Sequence, residues 1–189
     1  MAKSQITNSA QETQKMAAEF AGQILRHPPL PVRLRANGMG ARKPAKHAVV
    51  LALQGDLGAG KTTFLQGFAK GLGIKEKVLS PTFIILKRFK IKKTKNQISN
   101  IKTTDQKFIN FYHIDCYRLN KPREVLDLGF KEIISNPENI VAIEWPEKIK
   151  KILPKSTIVI TFEHLEKNKR ELTIYDKNNI LSLDLSHQE

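Results

Sequence analysis

Eight consecutive residues carry the most recognisable chemistry in this chain: Gly55-Asp-Leu-Gly-Ala-Gly60-Lys61-Thr62 matches the pattern G-x-x-x-x-G-K-S/T in full. Each residue type has a physical reason to be there. Glycines let backbone N–H groups curl around an anion without Cβ clashes. A helix opening at Lys61 adds its unpaired N-terminal donors and the positive end of its dipole. A lysine at this offset reaches the β- and γ-phosphates as a point charge. The Thr62 hydroxyl is placed to ligate Mg²⁺. A plain turn between strand and helix would not require a lysine and a threonine after the glycine. The expectation is therefore a P-loop that holds a nucleoside triphosphate.

Such a loop needs an acid for the metal and its waters, and a group that positions the attacking water. Two strand-like runs end in acids: "FINFYHID" ends at Asp115 and "NIVAIE" at Glu144. In a parallel sheet the C-terminal ends of strands gather at the phosphate loop, so either acid can face the metal. Thr82, in "SPTF", occupies the segment that carries a γ-phosphate- or metal-sensing hydroxyl in switch-type NTPases. His113 reads as a packed strand residue, and Trp145 as either an exposed contact or a core filler.

Positioning these residues requires alternating strands and helices. "AVVLALQ" is a continuous apolar run of the kind buried on both faces in a parallel sheet, and it leads straight into the glycine loop. After Lys61, the residues Phe64, Leu65, Phe68 and Leu72 share a helical face, and Gly71 and Gly73 are placed to end that helix. Upstream, Ser9 and Glu12 form a possible capping box. Met16, Ala17, Phe20, Ala21 and Ile24 then repeat at helical spacing, which predicts a helix over 9–25. "IILKRFKI" and "FINFYHIDCY" predict an antiparallel hairpin with a long basic tip. Pro122 opens a further helix, "PREVLDLGFKEII". "STIVITFE" and "RELTIYD" predict a second hairpin, and "NILSLDLS" fits strand or helix equally. The fold class expected is α/β: a mainly parallel P-loop NTPase-like sheet flanked by helices, with antiparallel hairpin additions.

The 189 residues suit one domain, taken here as 1–189, with basic insertions at about 27–46 and 92–107. The net charge is +14, and it is unevenly placed. Residues 26–47 carry six basic side chains and no acid, and residues 87–107 carry eight against Asp105. A polyanion such as RNA is the partner such stretches suit, though solvated loops would look the same. No apolar run is long enough to span a bilayer, and the N-terminus lacks an apolar signal core. The lone Cys116 precludes an internal disulfide and fits a cytoplasmic setting.

Taken in order, "GDLGAGKTTFLQGFAKGLGI", "SPTF", "YHIDCYRL", "EVLDLGF", "AIEWPEKI" and "RELTI" resemble the TsaE (YjeE) family of small P-loop ATPases. The resemblance runs from about residue 9 to about residue 176. It implies that Gly58, Ala59, Gly60, Lys61, Thr62 and Thr63 wrap the phosphates of ATP. It implies that Thr62 and Glu144 bind Mg²⁺, that Asp115 stands by the γ-phosphate and assists hydrolysis, and that Thr82 belongs to a switch-like loop. It places Ser9 near the adenine, Arg170 at the nucleotide's outer edge, and Trp145 where it can report or gate nucleotide state. The partners implied are the TsaB–TsaD pair, with TsaD modifying adenosine 37 of tRNAs that read ANN codons. Family members are typically shorter, and the extra length here falls in the two basic stretches.

Other functions fit less well. A small-molecule kinase shares the P-loop but usually has an arginine-bearing lid, for which the basic hairpin tip is the sole candidate. A GTPase usually carries N-K-x-D, and the nearest string, "NKPR" at Asn120, lacks the acid. An RNA-binding module usually interleaves aromatics, and residues 87–107 hold only Phe89. The expected reaction is phosphoryl transfer from ATP to water. It should be slow in isolation, since no arginine is clearly placed as a finger, although Arg118 is a candidate.

Overall fold

The computed structural model describes residues 2–26, 47–79, 84–91 and 108–176. Thr82 with the rest of "SPTF", both basic insertions and the 177–189 tail lie outside the described residues. Seven strands form one sheet in the order β1-β7-β6-β2-β5-β4-β3. They are β1 (Ala2–Thr7), β2 (Val49–Gln54), β3 (Leu86–Lys90), β4 (Asn110–Asp115), β5 (Asn139–Glu144), β6 (Ile158–Glu166) and β7 (Lys169–Tyr175). The four central strands, β6, β2, β5 and β4, are parallel. The outer pairings β3–β4, β6–β7 and β1–β7 are antiparallel. Both expected hairpins are present, added to the flanks of a parallel centre.

The continuous apolar runs in β2 and β5 follow from burial on both faces. Val49, Leu51 and Leu53 point to one core, with Ile140 and Ala142 beside them. That core is roofed by helices α1 (Ala10–Arg26) and α2 (Lys61–Gly71). Val50, Val141 and Ile143 point to the other face, which is covered by α3 (Arg123–Leu126), α4 (Phe130–Ser135) and the 3₁₀ segment Pro146–Ile152. Under α2 runs a chain of rings from β6 to β3: Phe162, Phe64, Phe68, Phe111 and Phe89, with neighbouring centroids 5.5–6.0 Å apart. Helix α1 is built as its pattern indicates, with Met16, Ala17, Phe20, Ala21 and Ile24 all buried.

Three local features depart from expectation. β1 is a strand that its polar sequence, "AKSQIT", does not announce; it forms by pairing along β7 from Ala2↔Tyr175 to Thr7↔Arg170. The helix expected over "PREVLDLGFKEII" is broken into α3 and α4 at Gly129, whose φ is 79°. In one continuous helix Val125 and Phe130 would lie about 140° apart around the axis; the break lets both enter the same core. Gly71 does not simply end α2. It and Gly67 lie against the α1 backbone, where a Cβ would meet the Ala18 and Gln14 carbonyl oxygens at 2.4 and 2.2 Å.

The loop after β2 and the ends of β4 and β5 share one edge of the parallel sheet. The basic insertions join the described chain at the opposite edge. One precedes Val49, and the other lies between Ile91 and Phe108, where the Ile91 N–H donates to the Ile109 carbonyl at 2.9 Å. Among the described residues no helix is long and apolar enough to cross a membrane.

Candidate functional site

The loop from Gly55 to Gly60 is shaped by close approach. A Cβ on Gly55 would stand 2.5 Å from the Phe162 carbonyl oxygen of β6. Gly60 caps α2 at φ 103°, a left-handed conformation that favours glycine. No side chain caps this helix, and its first backbone bond runs from the Phe64 N–H to the Gly60 carbonyl. The amides of Lys61, Thr62 and Thr63 therefore precede the first intrahelical bond, as an anion site requires.

Lys61 is buried at 4% exposure. Its ammonium donates to the carbonyls of Gly55 at 2.6 Å and Asp56 at 2.8 Å. The indole of Trp145 covers it, with the ring centroid 4.1 Å from Nζ. Burial pushes the Lys61 ammonium below its ordinary pKa, against the opposing pull of Glu144, Glu147, Asp115 and Asp56. Among the described residues it forms no ion pair with a carboxylate. A buried cation held by carbonyls and a ring face, without a carboxylate partner, can accept an anion.

Glu144 ends β5 and is 3% exposed. The Thr62 hydroxyl donates to its carboxylate, 3.2 Å from Oε1 and 3.3 Å from Oε2. With its proton committed there, the Thr62 oxygen keeps its lone pairs for a cation. Asp115 is the register partner of Glu144, one strand farther from the loop. Its Oδ1 accepts from the Tyr117 N–H at 3.0 Å. The Tyr117 ring lies 5.0 Å from that of Trp145. Trp145 holds φ 58°, the one non-glycine positive φ among the described residues.

These groups line a single cleft of about 260 Å³, bounded by Gly58, Gly60, Lys61, Thr62, Thr63, Asp115, Glu144, Trp145 and the exposed Leu57 and Tyr117. A methyl group on Gly58 would meet nothing within 4 Å. Ala59 is buried in the loop.

Arg170 packs against Gly60 of the loop, and neither it nor Ser9 lines the cleft. Ser9 caps α1, accepting the Glu12 N–H at 3.1 Å; the Glu12 carboxylate reaches back to the Asn8 N–H at 2.8 Å. Arg170 Nη1 donates to the Thr13 hydroxyl at 3.2 Å, and a Cβ on Gly60 would lie 3.1 Å from Arg170 Cδ. The Thr13 hydroxyl is in turn 2.8 Å from that of Thr7 on β1.

His113 is more than a packed strand residue. It is fully buried, and its Nε2 lies 2.9 Å from Glu144 Oε1. Its position two residues before Asp115, on the same strand face, was the available signal.

Oxygen ligands suit a hard cation. Among the described residues no group of three His, Cys, Asp or Glu side chains is placed to hold a metal ion by itself. One carboxylate and one hydroxyl beside a phosphate cradle fit Mg²⁺, which keeps several waters and is completed by substrate phosphates.

Sheet order, loop and helix N-terminus together define a P-loop NTPase fold. YdiB from Bacillus subtilis, a solved crystal structure, superposes with a TM-score of 0.61 at 27% identity, covering 93% of this chain and 86% of that one. The model of the family described as "Threonylcarbamoyl adenosine biosynthesis protein TsaE" matches residues 7–172, and the chain belongs to that family. It is 37% identical over 129 residues to the TsaE protein of Bacillus subtilis strain 168, spanning 68% of this chain and 70% of the relative. It is 35% identical over 130 residues to that of Rickettsia prowazekii, spanning 68% and 78%.

Proposed function

We propose that this chain is a Mg²⁺-dependent ATPase of tRNA threonylcarbamoyladenosine synthesis. It acts as a switch on the TsaB–TsaD complex that modifies position 37 of tRNAs reading ANN codons. The observation that carries the reading is the meeting of Lys61, Thr62 and Glu144 in one cleft at the N-terminus of α2. The biological role rests on family membership.

In this reading the amides of Gly58 to Thr63 and the Lys61 ammonium bind the phosphates and stabilise charge that develops during transfer. Thr62 and Glu144 hold Mg²⁺, which when bound supplies electrostatic stabilisation of the phosphoryl oxygens. Asp115, across the cleft from the loop, accepts a hydrogen bond from the attacking water and orients it. Trp145 and Tyr117 shield the Lys61 side from bulk water. The adenosine end is assigned to the side of Ser9 and Arg170, the latter packed against Gly60 and bonded to Thr13. Thr82, outside the described residues, is assigned to a switch-like loop that senses the γ-phosphate or the metal, from its place between the P-loop helix and the hairpin and from the resemblance. No arginine lines the cleft among the described residues, which suits slow turnover until a partner engages. The basic insertions suit contact with tRNA phosphates carried by the partner complex.

The test is ATP hydrolysis by the purified chain with Mg²⁺, with and without TsaB–TsaD and tRNA. Slow basal hydrolysis with strong stimulation by the pair is expected. Phosphate transfer to an added small molecule, without stimulation by the pair, would replace this reading with a small-molecule kinase.

A further inference from the structure

We propose that His113 is a positioning residue that fixes the orientation of the Glu144 carboxylate, and so sets how well the site holds a divalent cation. The inference rests on the nucleotide-site reading above and adds to it a role for a residue outside the cleft lining.

Glu144 has three rotatable side-chain bonds, and its carboxylate can turn about the last of them. Thr62 does not settle that rotation, because its hydroxyl is almost equidistant from the two oxygens, at 3.2 and 3.3 Å. The bond from His113 does. Nε2 approaches Oε1 alone, at 2.9 Å, and a carboxylate oxygen accepts, so the imidazole carries the shared hydrogen. One oxygen is thereby committed to the protein interior. Oε2, bonded by Thr62 alone of these two, is the oxygen left for a cation.

The sheet makes this contact possible. His113 and Asp115 point to the same face of β4, and the register pairs Asp115 with Glu144 and His113 with Ala142. Ala142 has only a methyl group, so the ring has room to reach diagonally to the carboxylate two residues on. The position is otherwise an apolar one. Phe111 precedes His113 on the same face, and His113 is fully buried. The other ring nitrogen, Nδ1, is buried with no partner among the described residues. The polar contact that balances it is the one to Glu144.

The experiment compares His113→Leu, which removes the donor, with His113→Gln, which keeps an N–H at similar reach, in the full chain. Three quantities are read: Mn²⁺ affinity of the nucleotide-bound protein by electron paramagnetic resonance, nucleotide affinity in EDTA, and the thermal midpoint. His113→Leu is expected to weaken Mn²⁺ about 10- to 100-fold, the usual effect of losing a partner of a metal ligand. Nucleotide affinity in EDTA should stay within about twofold, and His113→Gln should recover most of the Mn²⁺ affinity. Should His113→Leu fail to fold, His113→Asn, too short to reach Oε1, replaces it with the same expectation. Unchanged Mn²⁺ affinity overturns the inference, as does equal loss in the Leu and Gln variants. A wild-type chain that binds no Mn²⁺ with nucleotide overturns the nucleotide-site reading itself.

Discussion

Lys61→Met separates what the lysine does for chemistry from what it does to the fold. The two side chains are similar in length, and Lys61 is nearly closed to solvent. In the wild type a buried ammonium is held by two loop carbonyls and a ring face. The methionine loses two charge-assisted hydrogen bonds of about 1.5–3 kcal/mol each, and a cation–π contact of about 0.5–2 kcal/mol. The acceptors it leaves, on half-buried Gly55 and exposed Asp56, are within reach of water. Against these losses stands the desolvation of an ion without a carboxylate partner, several kcal/mol in effective terms. That imbalance is what drives the Lys61 pKa down. These opposing terms are of similar size, so the variant is expected to keep its stability within about 1 kcal/mol of the wild type, a thermal midpoint within about 2–4 °C for a chain of this size. ATP hydrolysis should fall by at least about 10²-fold, as for the loss of one strong donor to a transition state. Added nucleotide should stabilise the wild type by about 2.7 kcal/mol at a hundredfold excess over Kd, raising its midpoint, and should not stabilise the variant. Differential scanning fluorimetry with and without nucleotide, beside a phosphate-release assay, measures all three. A variant that hydrolyses ATP at the wild-type rate, or that unfolds well below the wild type, would refute the account of Lys61 as a strained receptor.

Gly67→Ala should destabilise the chain by about 1–3 kcal/mol despite the better helix propensity of alanine, because its Cβ would lie 2.2 Å from the Gln14 carbonyl oxygen; urea unfolding measures it, and an unchanged midpoint would contradict the α1–α2 contact. Burial, with Asp115 next in weight, pushes the Cys116 thiol up to about 12 from its ordinary 9.0. The folded pKa is the higher one, so this contribution to stability is complete below pH 9 and is lost as the pH rises towards 12; iodoacetamide at pH 8 should label Cys116 only after unfolding. Replacing residues 92–107 by a two-residue turn should leave basal hydrolysis unchanged, since the neck at Ile91 and Ile109 lies at the sheet edge opposite the loop; loss of hydrolysis would tie the insertion to the site.

How far the fold could be read in advance depended on whether the information was local. β2, α2 and β5 announce themselves, because an apolar run buried on both faces and a glycine loop need no distant partner to be recognised. β1 does not, since its residues are polar and its existence depends on β7, more than 160 residues away in the chain. The break at Gly129 hides for a related reason: a glycine is tolerable in a helical pattern, and only the shared core of Val125 and Phe130 demands that the helix stop. His113 shows the same limit within the site. Its type and spacing from Asp115 are visible, but its partner lies 31 residues away and meets it only through the β4–β5 register.

The same register distinguishes the two acids, which spacing alone leaves equivalent. Both end parallel strands, and both follow apolar residues. The sheet order places β5 next to β2, with Leu53 opposite Glu144, so the acid of β5 is the one within reach of the first turn of α2. Asp115 stands one strand farther out, about 4.8 Å in the hydrogen-bonding direction. The nearer carboxylate meets Thr62 and suits the metal. The farther one lines the same cleft from beyond it, the placement the proposed water-orienting role calls for. Exchanging the order of β4 and β5 in the sheet would exchange which acid stands nearer the loop, without altering either strand's sequence. The different distances of Asp115 and Glu144 from the glycine loop are thus a property of topology.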